Sequence, residues 1–301
     1  MKTTVFYHSA DFDGLFCREI ARKFLPDAEL IGWNFGDAPL EIPSGPIYVM
    51  DLPIDRVFGF DYSKVGNERG PQHPPGLVWI DHHKSSIESH PKDIPGYRID
   101  GVAACRLAWQ WFTYVEGPKG TLLPTDVQFK NREVSEPLAV RLAGEYDIWD
   151  KRDPRAELFQ HGLKSRELND ITWKYLLGED HVAGDHCVAD LLEGGTILQF
   201  ARANEYLDVI TQQGFDVEFE GVKFLACNSH ECDIRSQLFE AGIKPHHEAL
   251  LGFTFTGHDW RVSMYRIDGK ETDILSIAKK YGGGGHPGAN GMQMKTLPFL
   301  P

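Results

Sequence analysis

The sequence has no run of about 18 uncharged apolar residues, so a membrane-spanning helix and a membrane partner are not expected. Its start, MKTTVFYHSADFDG, reaches Asp11 and Asp13 after an apolar stretch that is too short for a signal peptide. Cysteine is scarce: the 5 cysteines are widely separated, and no two of them form a CxxC pair. Disulfides and cysteine metal sites are therefore not expected, and the pattern favours reduced thiols in a cytoplasmic protein.

Positive charge is also in short supply. The 31 lysines and arginines stand against 44 aspartates and glutamates, which gives a net charge of −13. Affinity for long duplex DNA comes mostly from the neutralisation of phosphates, so this chain is not expected to coat such DNA. A local pocket for a short anionic substrate remains compatible with the charge. The 301 residues are enough for one large domain or two moderate ones.

The first part of the chain alternates short apolar runs with helical patterns. Runs typical of buried strands occur at 3–8, 29–34, 46–51 and 76–83, and helical spacing occurs at 15–25 and 102–116. This alternation predicts an α/β domain on a mostly parallel sheet, which we place at residues 1–185.

The last third of the chain has a different order of predicted helices and strands. A long helical pattern at 186–213, interrupted by Gly194 and Gly195, leads into two hairpin-like segments at 215–228 and 249–268. A final helix at 273–285 ends in glycines. We therefore predict a helical linker at 186–214 and a smaller α+β domain at 215–301.

Metal-ligand residue types recur where the predicted strands of the first domain end. They are His8, Asp11, Asp13, Asp51, Asp81, His82 and His83, with Asp147 further along in AGEYDIWD. Open α/β sheets place their sites at the carboxyl ends of strands. Mixed oxygen and nitrogen ligands suit manganese, iron or cobalt. Because the set is larger than one ion needs, we predict two ions that share a carboxylate and activate a hydroxide for attack on phosphorus.

Each of these motifs has an ordinary structural explanation when taken alone. The Asp11–Gly14 segment could be a turn or a helix cap, and a His-His pair is frequently a surface feature. The pattern of an apolar strand followed by ligand residues occurs three times in order, however, which makes a common site the better hypothesis.

These motifs, together with the glycine-rich segment from Tyr281 to Gly291, resemble those of the DHH phosphoesterase superfamily with a C-terminal DHHA1 domain. Relatives include nano-RNases (oligoribonucleases), RecJ exonucleases and cyclic dinucleotide phosphodiesterases. The resemblance covers almost the whole chain. It implies hydrolysis of phosphodiester or phosphomonoester bonds in short single-stranded oligonucleotides or small nucleotides. It also implies two Mn²⁺ ions, with Mg²⁺ or Co²⁺ as substitutes.

The resemblance further implies a division of the metal ligands. The two ions would be held by His8 and Asp11 on one side, by Asp13, His82 and Asp147 on the other, and by Asp51 as the bridge. Asp150 competes with Asp147 for the last position, although Asp147 follows Gly-Glu-Tyr in the manner of the family.

Two further residues of the third motif have implied catalytic roles. His83 would contact the phosphoryl oxygen or protonate the leaving group. Asp81 would orient a histidine, as metal-site imidazoles usually require. Arg106, in a segment of small residues after this motif, is a weaker candidate for facing the site.

In the C-terminal domain the resemblance implies substrate binding by Gly283, Gly284, Gly285 and His286. Successive glycines let the backbone approach a ligand and present N–H groups to an anion. The family carries a phosphate-binding arginine on the strand that VSMYRID (262–268) resembles, and here Arg266 stands next to that position. Neighbouring strand residues face opposite sides, so the sequence leaves open whether Arg266 faces the substrate.

Two alternatives remain open on the sequence. One is a phosphatase for polyphosphate or another non-nucleotide ester, and the other is a non-catalytic nucleotide-binding protein on the same fold. The sequence also leaves a homodimer open. His246 and His247 are weaker candidates for a metal site, because a histidine pair is more often a surface or cap feature.

Overall fold

The computed structural model describes residues 1–60, 73–115, 122–229 and 236–300. The chain divides into two compact units, Met1–Leu198 and Gln199–Pro301, and the long helix α9 (His181–Gln213) runs through the division. Within the described ranges, no helix is both long enough and apolar enough to cross a membrane.

The first unit is built on a parallel sheet. Its strands are β1 (Thr4–His8), β2 (Glu29–Trp33), β3 (Ile47–Met50), β4 (Leu77–Asp81) and β5 (Gly96–Arg98). In the described residues they are ordered β2-β1-β3-β4-β5, and every pairing is parallel. The prediction of a parallel-sheet α/β domain is therefore confirmed.

Helices cover both faces of this sheet. They are α1 (Phe12–Phe24), α2 (Ile54–Phe58), α3 (Lys84–Ser89), α4 (Ala104–Gln110), α5 (Asp126–Lys130), α6 (Leu138–Asp147), α7 (Arg155–Lys164) and α8 (Asp170–Leu176), and a π-helical turn, Trp111–Val115, follows α4. Alternate strand residues enter different cores: Val5 packs with Phe16 of α1, whereas Phe6 packs with Phe58 of α2. Strands that are buried on both faces need nearly continuous apolar runs, and β1, β3 and β4 consist mostly of apolar residues for this reason.

Helix α9 corrects one prediction. It is continuous from His181 to Gln213, so the expected interruption at Gly194 and Gly195 is wrong. A Cβ on Gly195 would lie 1.8 Å from the backbone oxygen of Leu158 in α7, and a Cβ on Gly162 would lie 2.0 Å from that of Leu191. These glycines therefore allow close packing of two helices, which helical spacing alone does not reveal.

The second unit is a mixed sheet with one helix of its own on one face. Its elements are β6 (Gly214–Phe219), β7 (Val222–Asn228), a 3₁₀ helix (Ser236–Gly242), β8 (Ala249–Phe255), β9 (Trp260–Arg266), α10 (Ile274–Lys280), β10 (Gly284–His286) and β11 (Ala289–Met294). Within the described part of the chain the order is β10-β11-β9-β8-β7-β6. Phe253 and Met264 pack against Ile277 of α10, whereas Leu250 packs against Ile210 of α9. This is the α+β unit that the sequence predicts.

Candidate metal centre

The first motif joins the end of β1 to the start of α1. His8 is the last residue of β1, and the carboxylate of Asp11 caps α1 by accepting a hydrogen bond of 3.1 Å from the Gly14 backbone N–H. A Cβ on Gly14 would lie 1.8 Å from the backbone oxygen of His8, so glycine is required for this close turn. Asp11 Oδ2 lies 2.8 Å from His8 Nδ1.

The carboxylate of Asp13 is fixed by backbone groups at the start of α4. Its two oxygens accept hydrogen bonds of 2.8 Å from the N–H groups of Ala104 and Cys105, and the residue is buried. The neighbouring Arg106 does not face the site. Its buried guanidinium instead donates to Glu136, with Nε 3.0 Å from Oε1. The sequence shows the small-residue segment but gives no indication that its N–H groups hold Asp13.

Asp51 follows β3 in an unusual backbone conformation. Its φ of 59° lies in the left-handed region, which aspartate tolerates better than most residues. The residue is buried, and its N–H continues the sheet by donating to Ile80 over 2.9 Å. Asp51 Oδ2 lies 3.5 Å from His8 Nδ1, and Oδ1 lies 3.4 Å from His82 Nε2. The carboxylate therefore lies between the two imidazoles.

Asp81 and His83 form a hydrogen-bonded pair beside the cluster. Asp81 is fully buried, and its Oδ1 accepts from the backbone N–H of His82 at 2.8 Å and pairs with His83 Nδ1 at 2.7 Å. This bond raises the pKa of His83, although burial opposes the shift. It also orients the His83 ring.

The last residue of α6, Asp147, completes the cluster. Its Oδ2 lies 3.3 Å from His82 Nε2. Asp150, the alternative, is held elsewhere because the Arg152 guanidinium donates to both of its oxygens at 2.8 and 3.0 Å. The structure thus brings Asp147 to the other candidate ligands and leaves Asp150 in a separate ion pair.

The candidate ligands fall into two separate sets, and a third group shares one residue with each of them. In each set the ligand atoms lie within 4.8 Å of one another. The sets are His8, Asp11 and Asp51, and Asp13, His82 and Asp147, with a further group of Asp51, His82 and His83 between them. The family resemblance implies the same division, although the binding roles of these residues stay predictions.

Charge is concentrated in this cluster. Burial disfavours the charged form of His8, but hydrogen bonds to Asp11 and Asp51 outweigh it and raise its pKa to about 10. For His82, burial is likewise outweighed by Asp51 and the other carboxylates, and its pKa rises to about 10. Burial raises the pKa of Asp51, but hydrogen bonds from the two imidazoles reverse this and lower it. The imidazolium groups thus act as the counter-charges of the carboxylates.

Two carboxylates remain poorly compensated. Burial and the charge of Asp51 raise the pKa of Asp13 to about 7. Burial and the charge of Asp13 raise the pKa of Asp147 well above its ordinary value. Divalent cations would relieve this repulsion, and a set of carboxylates and imidazoles suits manganese or cobalt. The residues present therefore fit a pair of such ions.

The glycine-rich motif of the second unit lies at a sheet edge. Gly284–His286 forms β10, which pairs with β11, and His286 is exposed. Gly282 and Gly285 have φ values of 76° and 135°, and a Cβ on Gly283 would lie 2.2 Å from the Gly291 oxygen. Glycine is thus required by the backbone here.

A cavity of about 410 Å³ adjoins these glycines. It is lined by Arg261, Ser263, Gly282, Gly283, Gly291, Met292 and Gln293. Arg266 does not share this surface: it pairs across strands with Ala249, on the face that packs against α10. Arg261 is two residues from Ser263 and therefore on the cavity side. Arg261 is not among the site residues that the sequence predicts: strand alternation places it on the same face as Ser263, but the cavity itself identifies that face.

A second histidine cluster lies in this unit. Asp216 accepts from His246 Nε2 and His247 Nε2, both at 2.8 Å. His247 is buried, and its Nδ1 accepts a hydrogen bond of 2.9 Å from the Lys244 N–H. Both ring nitrogens of His247 therefore have protein partners, which favours a structural hydrogen-bonding role over metal binding.

No family model and no curated protein matches this chain in sequence. Among solved structures, the DHH domain of a protein described as a member of a ribosomal protein family has a TM-score of 0.51 and 13% identity, and the match covers 97% of this chain and 82% of that one. A pGpG-specific phosphodiesterase from Vibrio cholerae has a TM-score of 0.49 and 16% identity over 98% and 94% of the chains.

RecJ from Thermus thermophilus, solved with Mn²⁺, has a TM-score of 0.48 and 13% identity. The match covers 97% of this chain and 49% of RecJ. The match with a TM-score of 0.51 supports a shared fold, and identities this low leave the activity to be argued from the site. The fold that the motifs predicted is confirmed, and the chain has the fold of the DHH-domain proteins.

Proposed function

We propose that this protein is a metal-dependent phosphoesterase that hydrolyses short oligonucleotides or small nucleotides. The observation that carries the proposal is the position of the buried Asp51 carboxylate, which lies 3.5 Å from His8 Nδ1 of its own ligand set and 3.4 Å from His82 Nε2 of the other. A carboxylate in this position could contact an ion in each set, as a bridge between two neighbouring ions would. When bound, the two cations would lower the pKa of a shared water and neutralise charge on a phosphoryl group.

The protein fixes these ligands before anything binds. Asp13 is held by two backbone N–H groups, and Asp51 is held by its sheet hydrogen bond and a left-handed turn. Ligands that are already oriented lose little freedom on binding, which favours affinity. We assign ion binding to His8, Asp11, Asp13, Asp51, His82 and Asp147.

His83 is the residue that we assign to the substrate. Its side chain is 38% exposed, whereas that of Asp81 is fully buried. Because Asp81 occupies Nδ1, the Nε2 atom is the one available to a phosphoryl oxygen or a leaving group. Asp81 then acts as a positioning residue for this ring.

The second unit has a candidate phosphate-binding surface of its own. The cavity beside Gly282 and Gly283 contains Arg261, and guanidinium and backbone N–H groups are suitable donors to a phosphate. We assign substrate binding to Gly283, Gly284, Gly285 and His286. The net charge of −13 supports a short substrate, since long polyanions would be repelled.

A substrate panel with manganese tests the proposal. The panel contains dinucleotides, short oligomers, phosphoadenosine phosphate, cyclic dinucleotides and polyphosphate, and the metal content of the same preparation is measured by mass spectrometry. We expect hydrolysis of at least one short nucleotide substrate by protein that holds two ions. Turnover of polyphosphate alone would contradict the nucleotide substrate. Metal-loaded protein that is inert on the whole panel would contradict enzyme activity.

A further inference from the structure

Phe35 is an exposed aromatic residue at the candidate metal centre. It lies just after β2 and is 56% exposed. Its ring centroid lies 5.6 Å from that of His8 and 6.4 Å from that of His83, edge-on to both. Single exposed apolar residues are common and need no explanation by themselves. What distinguishes Phe35 is that it contacts one histidine from each of two ligand motifs.

The turn that carries Phe35 is anchored to the centre. Asn34 Oδ1 accepts hydrogen bonds from the Ser9 N–H at 3.2 Å and from Ser9 Oγ at 3.0 Å, and Ser9 directly follows His8. Trp33 donates from Nε1 to the Ala38 oxygen at 3.1 Å and packs edge-on against Phe35 at 5.9 Å. The ring is therefore held in a fixed position relative to His8.

A nucleotide substrate would carry a base that the Phe35 ring could contact. A phosphate held at the cluster brings its attached nucleoside to the edge of the cluster, where the exposed part of Phe35 lies. Aromatic rings bind bases by stacking, and stacking tolerates any base because each has a π face. From this arrangement, and resting on the proposed function, we propose that Phe35 is a stacking platform for a nucleobase next to the hydrolysed phosphate.

A different role for Phe35 would be to shield the two histidines from water. The two roles differ in what they require of the substrate. Stacking needs a base, whereas shielding would affect every phosphate ester equally. A comparison of substrates with and without a base therefore separates them.

The test uses a dinucleotide and the matching dinucleotides in which an abasic sugar replaces either nucleoside. For Phe35→Ala we expect kcat/KM on the full dinucleotide to fall about 5- to 150-fold, the size of one lost base–aromatic stack. The abasic substrate that lacks the stacked base should show little change, and Phe35→Trp should restore activity on the full dinucleotide. Phe255→Ala is the matched control, because Phe255 is also 56% exposed and lies in the second unit.

A binding measurement provides a readout that does not need turnover. Calorimetry compares adenosine 5′-monophosphate with ribose 5-phosphate, which carry the same phosphate, and Phe35→Ala should weaken only the former. Equal losses on substrates with and without a base, or no loss on either, would overturn the stacking role. If the wild-type protein hydrolyses no nucleotide substrate of the panel, the proposed function fails, while the binding comparison still decides whether Phe35 contacts a base.

Discussion

Replacement of Asp51 by asparagine removes the charge of the central carboxylate and changes little else. Asparagine has nearly the same shape and tolerates the left-handed φ of 59° that this position requires. Alanine tolerates it less well, and we expect Asp51→Ala to be roughly 1–2 kcal/mol less stable for this reason alone. Comparison of the two variants therefore separates the loss of charge from backbone strain.

The expected size of the effect follows from the position of the carboxylate. Asp51 lies within 3.5 Å of an imidazole nitrogen in each ligand set, so its loss should weaken both sets. Loss of a residue that only orients a metal ligand lowers metal affinity or activity by about 10- to 100-fold. Loss of a shared ligand should exceed this range.

The assay measures bound manganese per chain and the rate on the best substrate of the panel. Asp51→Asn should hold fewer than two ions and lose activity by more than about 100-fold. Asp150→Asn is the control, because it makes the same chemical change at an aspartate that pairs with Arg152 and not with the candidate ligands. An Asp51→Asn protein with two ions and wild-type turnover would refute the bridging assignment.

Two further predictions concern protons and packing. In metal-free protein at pH 8, His8 and His82 are protonated, because their pKa values of about 10 lie above the ordinary 6.5. A histidine ligand must be neutral, so binding should release at least two protons, and calorimetry in buffers of different ionisation enthalpy counts them; no release would contradict the ligand assignment. Gly195→Ala should destabilise the fold by about 1–3 kcal/mol in urea unfolding, because its Cβ would lie 1.8 Å from the Leu158 oxygen. A Cβ on Gly194 would meet only side-chain atoms, the flexible Arg166 at 3.1 Å and Ser165 Oγ at 3.7 Å, so Gly194→Ala should be neutral or stabilising by up to about 1 kcal/mol. Equal effects of the two substitutions would contradict this account of α9.

The sequence predicts the parallel sheet because its strands carry the pattern that burial on both faces requires. β1, β3 and β4 are short apolar runs that end in ligand residue types, and the three ends meet at one edge of the sheet. The grouping of candidate ligands at this edge follows from that topology. Local pattern and tertiary position agree for the strands, which is why the prediction of the parallel sheet is confirmed.

Features that depend on three-dimensional contact are not visible in the sequence. Helix α9 is continuous through Gly194 and Gly195, and Gly195 packs closely on the backbone of α7, which is distant in sequence. Arg106 pairs with Glu136, 30 residues away. No local pattern indicates such a partner, so the suggestion that Arg106 faces the site was wrong.

The sequence predicts only in part which residues of a strand face a site. Alternation places Arg261 and Ser263 on one face and Arg266 on the other, and this much is readable from sequence. Which face borders the glycine cavity is settled by the pairing of β9 with β8 and β11. The family resemblance suggested Arg266 as a substrate-binding residue, but the arginine that lines the cavity is Arg261.

Crystals grown with manganese and measured at the manganese absorption edge test the central claim most directly. The account predicts two anomalous peaks about 3.5–4 Å apart, one on each side of the Asp51 carboxylate. One peak should lie near His8 and Asp11, and the other near His82 and Asp147. A single peak, or peaks away from Asp51, would contradict the two-ion centre.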